Sequence, residues 1–150
     1  MIQTTVEECR TAYRAFRRIG EETRLPAKAS WRVSRILGKL KSVVADFENV
    51  QKDLFLAAGG VIENNGVTLR SLERAEGEDD AVWNKRIMQH QAAIARLTAE
   101  MKALLDERVE ISYDPIPLSC FGDGGDVKIA PCDFSDAGQF ICEDSESKQG

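Results

Sequence analysis

Apolar residues recur at alternating steps of four and three along two long stretches, and no other feature constrains the fold as much. The first stretch runs Ala29, Val33, Ile36, Leu40, Val43, Phe47, Val50, Leu54; the second runs Trp83, Ile87, His90, Ile94, Leu97, Met101, Leu104, Arg108. A mean period of three and a half residues is the heptad seam of packed helices. Leu37, Val44 and Phe55 widen the first seam, so that helix covers more than one narrow line of contacts. Each seam is about 38 Å long at about 1.5 Å per residue. Equal spans joined by a connection that folds back predict two antiparallel helices, about 26–58 and 79–108.

The connection carries its own signals. Gly59-Gly60 supplies left-handed cap geometry for the first long helix. Asn65-Gly66, between the β-prone runs Val61-Ile62 and Val67-Thr68-Leu69, predicts a β-hairpin over about 61–69 with positive φ at both turn positions. Gly77-Glu78-Asp79-Asp80 offers a cap and acids suited to the dipole at the start of the second long helix. Ahead of the seams, Val6, Cys9, Tyr13 and Phe16 form one stripe of a short helix, 3–20, and Pro26 fits the first turn of the next. Beyond them, Val109-Glu110-Ile111-Ser112-Tyr113 alternates as a strand, and Pro115 and Pro117 keep the following segment extended. The expectation is a mainly α fold: an antiparallel coiled-coil helical hairpin with a small β-hairpin at its tip and an extended C-terminal arm. It divides into a helical hairpin domain, 1–119, and an irregular acidic arm, 120–150.

Composition narrows the function classes. The 150 residues suffice for one modest core, and 43% hydrophobic with 30% charged residues excludes a disordered tail. No stretch is long and apolar enough to cross a bilayer, and Met1 to Glu8 has neither a basic nor an apolar leader segment, so no membrane or secretory role is expected. The net charge of -5 disfavours nucleic acid as a partner. Charge is nonetheless segregated. Residues 1–58 hold 11 basic and 7 acidic side chains, net +4, and the remainder holds 9 and 18, net -9. Arg24 to Lys41 contains six basic residues and no acid. Such segregation suits self-neutralisation in the fold or head-to-tail assembly of copies.

Candidate chemistry is sparse. His90 falls on a helical seam with Arg86, Ile87, Ala93 and Ile94 at helical spacing, which gives a structural imidazole and no ligand set. Cys9, Cys120, Cys132 and Cys142 match no zinc or redox spacing and are expected as reduced thiols. Asp123-Gly124-Gly125-Asp126 resembles part of a calcium loop but lacks the alternating oxygen ligands and closing Glu, so it reads as a turn. No nucleophile elbow, phosphate loop or dinucleotide fingerprint occurs. No enzyme activity, cofactor or metal is expected. Lys28, Arg32, Arg35 and Lys39 form a basic stripe beside the first seam, near Trp31, suited first to an acidic protein partner and second to phosphate. Val109, Ile111, Tyr113, Ile116 and Leu118 are the expected strand-adding contacts of the arm.

The order of Leu25-Pro26-Ala27-Lys28, Phe47-Glu48, the Asn65-Gly66 turn, Leu104-Leu105-Asp106-Glu107-Arg108-Val109-Glu110-Ile111 and Pro115-Ile116-Pro117-Leu118-Ser119 resembles a group of small helical-hairpin proteins of tailed bacteriophages. The likeness spans Leu25 to Ser119; the final 30 residues depart from it. It implies a virion or assembly component made in the bacterial host cytoplasm. Partners would be capsid, portal or tail subunits, with a homo-oligomer as a further option. The leading expectation is a non-enzymatic structural or connector protein of head, neck or tail, acting by helix packing and strand addition. A cytoplasmic nucleic-acid-associated or regulatory adaptor using the basic stripe is the alternative, and a phage assembly chaperone is the third.

Overall fold

The structure, a computed structural model, describes residues 1–21, 25–64, 66–69, 71–122 and 129–143. In chain order the elements are β1 (Ile2–Thr5), α1 (Val6–Gly20), α2 (Ala27–Ala57), β2 (Val61–Glu63), β3 (Gly66–Thr68), α3 (Asp80–Leu105), β4 (Arg108–Ile111), β5 (Ile116–Pro117), α4 (Pro131–Ala137) and β6 (Ile141–Cys142). Helix accounts for 65% of the described residues, and each of the three sheets among them has two strands. The mainly helical reading with small β-pairs therefore holds. Contacts divide the chain into two units, Met1–Ala45 with Asp106–Gly150, and Asp46–Leu105.

In the first unit β1 passes straight into α1. Thr5 caps the helix, its Oγ1 accepting from the Glu8 N–H at 3.2 Å, with Glu7 and Glu8 in the first turn and Arg17 and Arg18 in the last. Residues 3–5 are thus strand, not helix as expected: β1 pairs antiparallel with β4, from Ile2 opposite Ile111 to Thr5 opposite Arg108. β-branched Ile2, Thr4 and Thr5 suit that ladder. The same pairing corrects the other boundary. α3 stops at Leu105, short of 108, and Arg108 is the first residue of β4 rather than the last of a seam. The Glu107 carbonyl accepts from the Val6 N–H at 3.0 Å, extending the connection past the ladder.

The segment beyond 115 is not an extended arm as far as it is described. Ile116 is fully buried, β5 pairs in parallel with β6, and residues 118–121 form a 3-10 turn that buries Phe121. Pro131 opens α4 at its first turn, where a missing N–H costs nothing. Phe140 is 1% exposed and meets Phe16 edge to face, with ring centres 6.4 Å apart; Phe121 meets Phe134 likewise at 5.5 Å. Arg18 Nε donates to Asp133 Oδ1 at 2.6 Å, and its Nη2 lies 3.4 Å from Asp136 Oδ2, tying α4 to α1. Gln139 Nε2 donates to the Gln3 carbonyl at 2.7 Å. The core joins Cys9, Ala12, Ala15, Phe16 and Ile19 of α1 to Ala29, Val33, Ile36 and Leu40 of α2, with Ile111, Ile116, Phe121, Ala137 and Phe140. Seven residues of α4 are too few to show a helical period, which is why composition alone made this region an arm.

The second unit begins with the C-terminal part of α2. That helix ends as expected: Gly59 sits at φ +93, its N–H donates to the Leu56 carbonyl at 3.1 Å, and the Gly60 N–H donates to Phe55 at 2.8 Å. These are the two bonds of a Schellman cap. The hairpin exists, but its turn is one residue early. Glu63 pairs with Gly66, so Asn64, at φ 48, is in the turn and Gly66 is in the strand; Asn65 lies outside the described residues. Asparagine tolerates the left-handed region, so Gly66 was not needed there. The seam also drifts. Phe47 is buried and Leu54 half-buried, but Val50 is 43% exposed and Gln51 is half-buried. A period of 3.5 slips about 20° per heptad around a helix of 3.6 residues per turn, so the stripe migrates by its third repeat. Along α3, Trp83, Ile87, His90, Ile94, Met101 and Leu104 are half-buried and Leu97 is buried. Ahead of α3, both Glu78 carboxylate oxygens lie 2.7 Å from Arg86 Nη1, and the Ala75 N–H donates to Glu78 Oε2 at 3.0 Å. These bonds hold the Glu78 carboxyl below the usual carboxylate range.

A candidate interaction surface on α2

Each residue of the basic stripe stands one position before a core residue: Lys28 before Ala29, Arg32 before Val33, Arg35 before Ile36, Lys39 before Leu40. One position is about 100° around a helix, so packing of one face fixes the cations beside it at the edge of solvent. Lys28 and Arg35 are exposed, and Arg32 and Lys39 are half-buried. Trp31, three residues from Lys28 and four from Arg35, lies on the same side and is 65% exposed. The Arg35 guanidinium stands 5.7 Å from its ring centre, a cation–π stack that presents the indole with charge behind it.

Lys28, Trp31 and Arg32 line one side of a depression of about 680 Å³; Met1, Ser112, Tyr113 and Asp114 line the other. Among the described residues, none of the four stripe cations has a carboxylate in ion-pair range. An exposed tryptophan within such a face can bury apolar area against a partner while the cations meet its carboxylates or phosphates.

The strand-adding residues divide differently. Ile111 is 4% exposed and Ile116 is fully buried, so both serve the core rather than a partner. Val109 and Tyr113 are half-buried, Tyr113 on the basic depression, and Leu118 is 37% exposed. β4 is paired to β1 along one edge, so residues 108–111 belong to a two-stranded sheet and not to a lone extended arm.

The sequence did not reveal a second, acidic depression, also of about 680 Å³, where Glu7, Glu8 and Thr11 of α1 meet Asp106, Asp136 and Gln139. Its parts are separated by about a hundred residues, and no local spacing announces them. Glu8 Oε2 accepts from Thr4 Oγ1 at 2.7 Å and from Gln139 Nε2 at 3.1 Å.

The remaining candidates stay separate. His90 is half-buried on α3, and among the described residues no group of three His, Cys, Asp or Glu side chains is placed to hold a metal. Cys9 is fully buried, Cys120 and Cys142 are half-buried, Cys132 is exposed, and all four are free thiols. Burial pushes the Cys9 thiol up to about 11, against the opposing hydrogen bond with Thr4. Asp123-Gly124-Gly125-Asp126 lies outside the described residues. Comparison with family models, curated proteins and solved structures finds no match to the chain.

Proposed function

We propose that the chain is a non-enzymatic structural or connector protein of a tailed-phage virion, docking through the α2 face to an acidic protein surface. The observation that carries the docking reading is the exposed Trp31 set among Lys28, Arg32, Arg35 and Lys39 with no carboxylate neutralising them among the described residues. A basic face left without an ion pair among the described residues of an acidic chain favours anionic partners. The placement in a virion rests on the resemblance carried by Leu25 to Ser119. α2 and α3 serve as an antiparallel hairpin; Leu54, Ala57 and Ala58 lining one groove with Ala92, Ala93 and Leu97 support this pairing. Docking by a free strand 109–118 is replaced by docking through the helix face, since Ile111 and Ile116 belong to the core.

Particles assembled from the chain's genome of origin provide the test. Mass spectrometry of purified particles is expected to find the wild-type chain at a fixed stoichiometry. A variant with Lys28, Arg32, Arg35 and Lys39 all changed to Gln should remain helical but be absent from particles. Equal incorporation of that variant refutes docking through this face. Absence of the wild-type chain from finished particles that nevertheless need it to form would establish the chaperone role instead.

A further inference from the structure

The β1–β4 ladder runs from Ile2 opposite Ile111 to Thr5 opposite Arg108. Met1, Ser112, Tyr113 and Asp114, beside Lys28, Trp31 and Arg32, stand past its first end, where two helix cations outnumber the one carboxylate, and Thr5, Glu7 and Asp106 stand at the other. Three residues of strand separate the two ends by about 10 Å. One unit therefore presents a basic, aromatic depression and an acidic one of similar volume at opposite ends of the same ladder. At the acidic end Asp136 is engaged by Arg18, while Glu7 and Asp106 have no ion pair among the described residues.

We propose that the partner of the α2 face is the Glu7–Asp106 end of a second copy of this chain, so that copies assemble head to tail. This rests on the docking reading above and names its occupant. Charge complementarity selects the occupant. Among the described residues the four stripe cations have no ion pair, and unpaired carboxylates are carried at the other end of the same ladder, so each copy keeps its second end open after one contact forms. A two-fold dimer through either depression would oppose like charges, whereas a heterologous contact pairs opposite ones and repeats into a ring or an open fibre. Trp31 supplies the apolar centre, and the charges set direction and encounter rate.

The experiment is light scattering on the full chain across concentration, at low salt and at about 0.5 M salt, where screening shortens to about 4 Å. Wild-type mass should grow with concentration at low salt and fall towards the monomer at high salt. Lys28→Gln with Arg32→Gln removes one end, and Glu7→Gln with Asp106→Asn removes the other. Each double variant should associate about tenfold more weakly, as expected for two surface ion pairs. Trp31→Ala, which alters no charge, should also weaken growth.

Mixing the two double variants at equal amounts should restore association to the dimer, with further growth about tenfold weaker than wild type, because each supplies one intact end. Circular dichroism checks that every variant is folded. A wild-type monomer at all concentrations, a two-fold dimer that does not grow, or growth unchanged in both double variants would overturn the proposal. Poly-L-glutamate separates this failure from that of the docking reading. Binding to a wild-type monomer through Trp31 keeps the acidic-partner reading and rejects the second copy, while no binding rejects both.

Discussion

Replacing Phe140 with alanine tests whether the C-terminal segment belongs to the core. The ring is 1% exposed and packs edge to face on Phe16 across the junction between α1 and the turn after α4. Removing such a ring loses its transfer free energy and leaves a cavity, together about 3–5 kcal/mol. A domain of this size has about 5–15 kcal/mol of total stability, so much of it would go. At about 2–4 °C per kcal/mol, the melting temperature should fall by about 6–20 °C. The assay is urea and thermal unfolding of the full chain followed by far-ultraviolet circular dichroism, with the urea slope held against the wild type. A surface arm gives a different result, because substitutions away from packed features change stability by only about 0.5 kcal/mol. A loss below about 1 kcal/mol would refute the placement of residues 131–142 against α1.

Other perturbations probe separate features. Gly60→Ala would set a Cβ 2.6 Å from the Phe55 carbonyl oxygen and 3.0 Å from Val67, so unfolding should show a loss of about 2 kcal/mol, mainly in the second unit; a neutral result would contradict the Schellman cap. The Glu78 carboxyl is held below its ordinary value by Arg86 and the Ala75 N–H. Its contribution is therefore present above the unfolded value of about 4.3 and is lost as pH falls further through the lowered folded value. Hydrogen exchange in residues 71–79 should accelerate over that acid range in the wild type, while Glu78→Gln should exchange faster at neutral pH and respond less to acid. Cys9, buried and raised to about 11, should resist alkylation by iodoacetamide at pH 8 in the folded chain while exposed Cys132 reacts, and mass spectrometry of peptides would expose the reverse order.

The two long helices were legible because each carries enough turns for a period to declare itself, and Gly59-Gly60 marked the end of the first in advance. Legibility failed where structure depends on pairing across the chain. Ile2 to Thr5 form a strand only because Arg108 to Ile111 lie alongside, more than a hundred residues later. Asp133 looked like one more acid of a polar tail until Arg18 stood 2.6 Å away. The turn at Asn64 shows a finer limit: Asn65-Gly66 is a sound turn by sequence, but the register that puts Val61 opposite Thr68 places Gly66 in the strand. Of the candidate site, the basic stripe could be read outright, since its residues share one helix. The exposure of its tryptophan, its lack of ion pairs among the described residues and the acidic depression at the other end of the ladder required the folded chain.

Recognition of carboxylates by the α2 face is read most simply by tryptophan fluorescence. With Trp83→Phe leaving Trp31 as the sole indole, the chain is titrated with poly-L-glutamate and separately with duplex DNA at rising salt. Polyglutamate should give a saturable blue shift that weakens with salt and is abolished when Lys28, Arg32, Arg35 and Lys39 are changed to Gln. No shift with polyglutamate, or a shift that survives those four substitutions, would contradict recognition of carboxylates, and a shift with DNA alone would assign the face to nucleic acid.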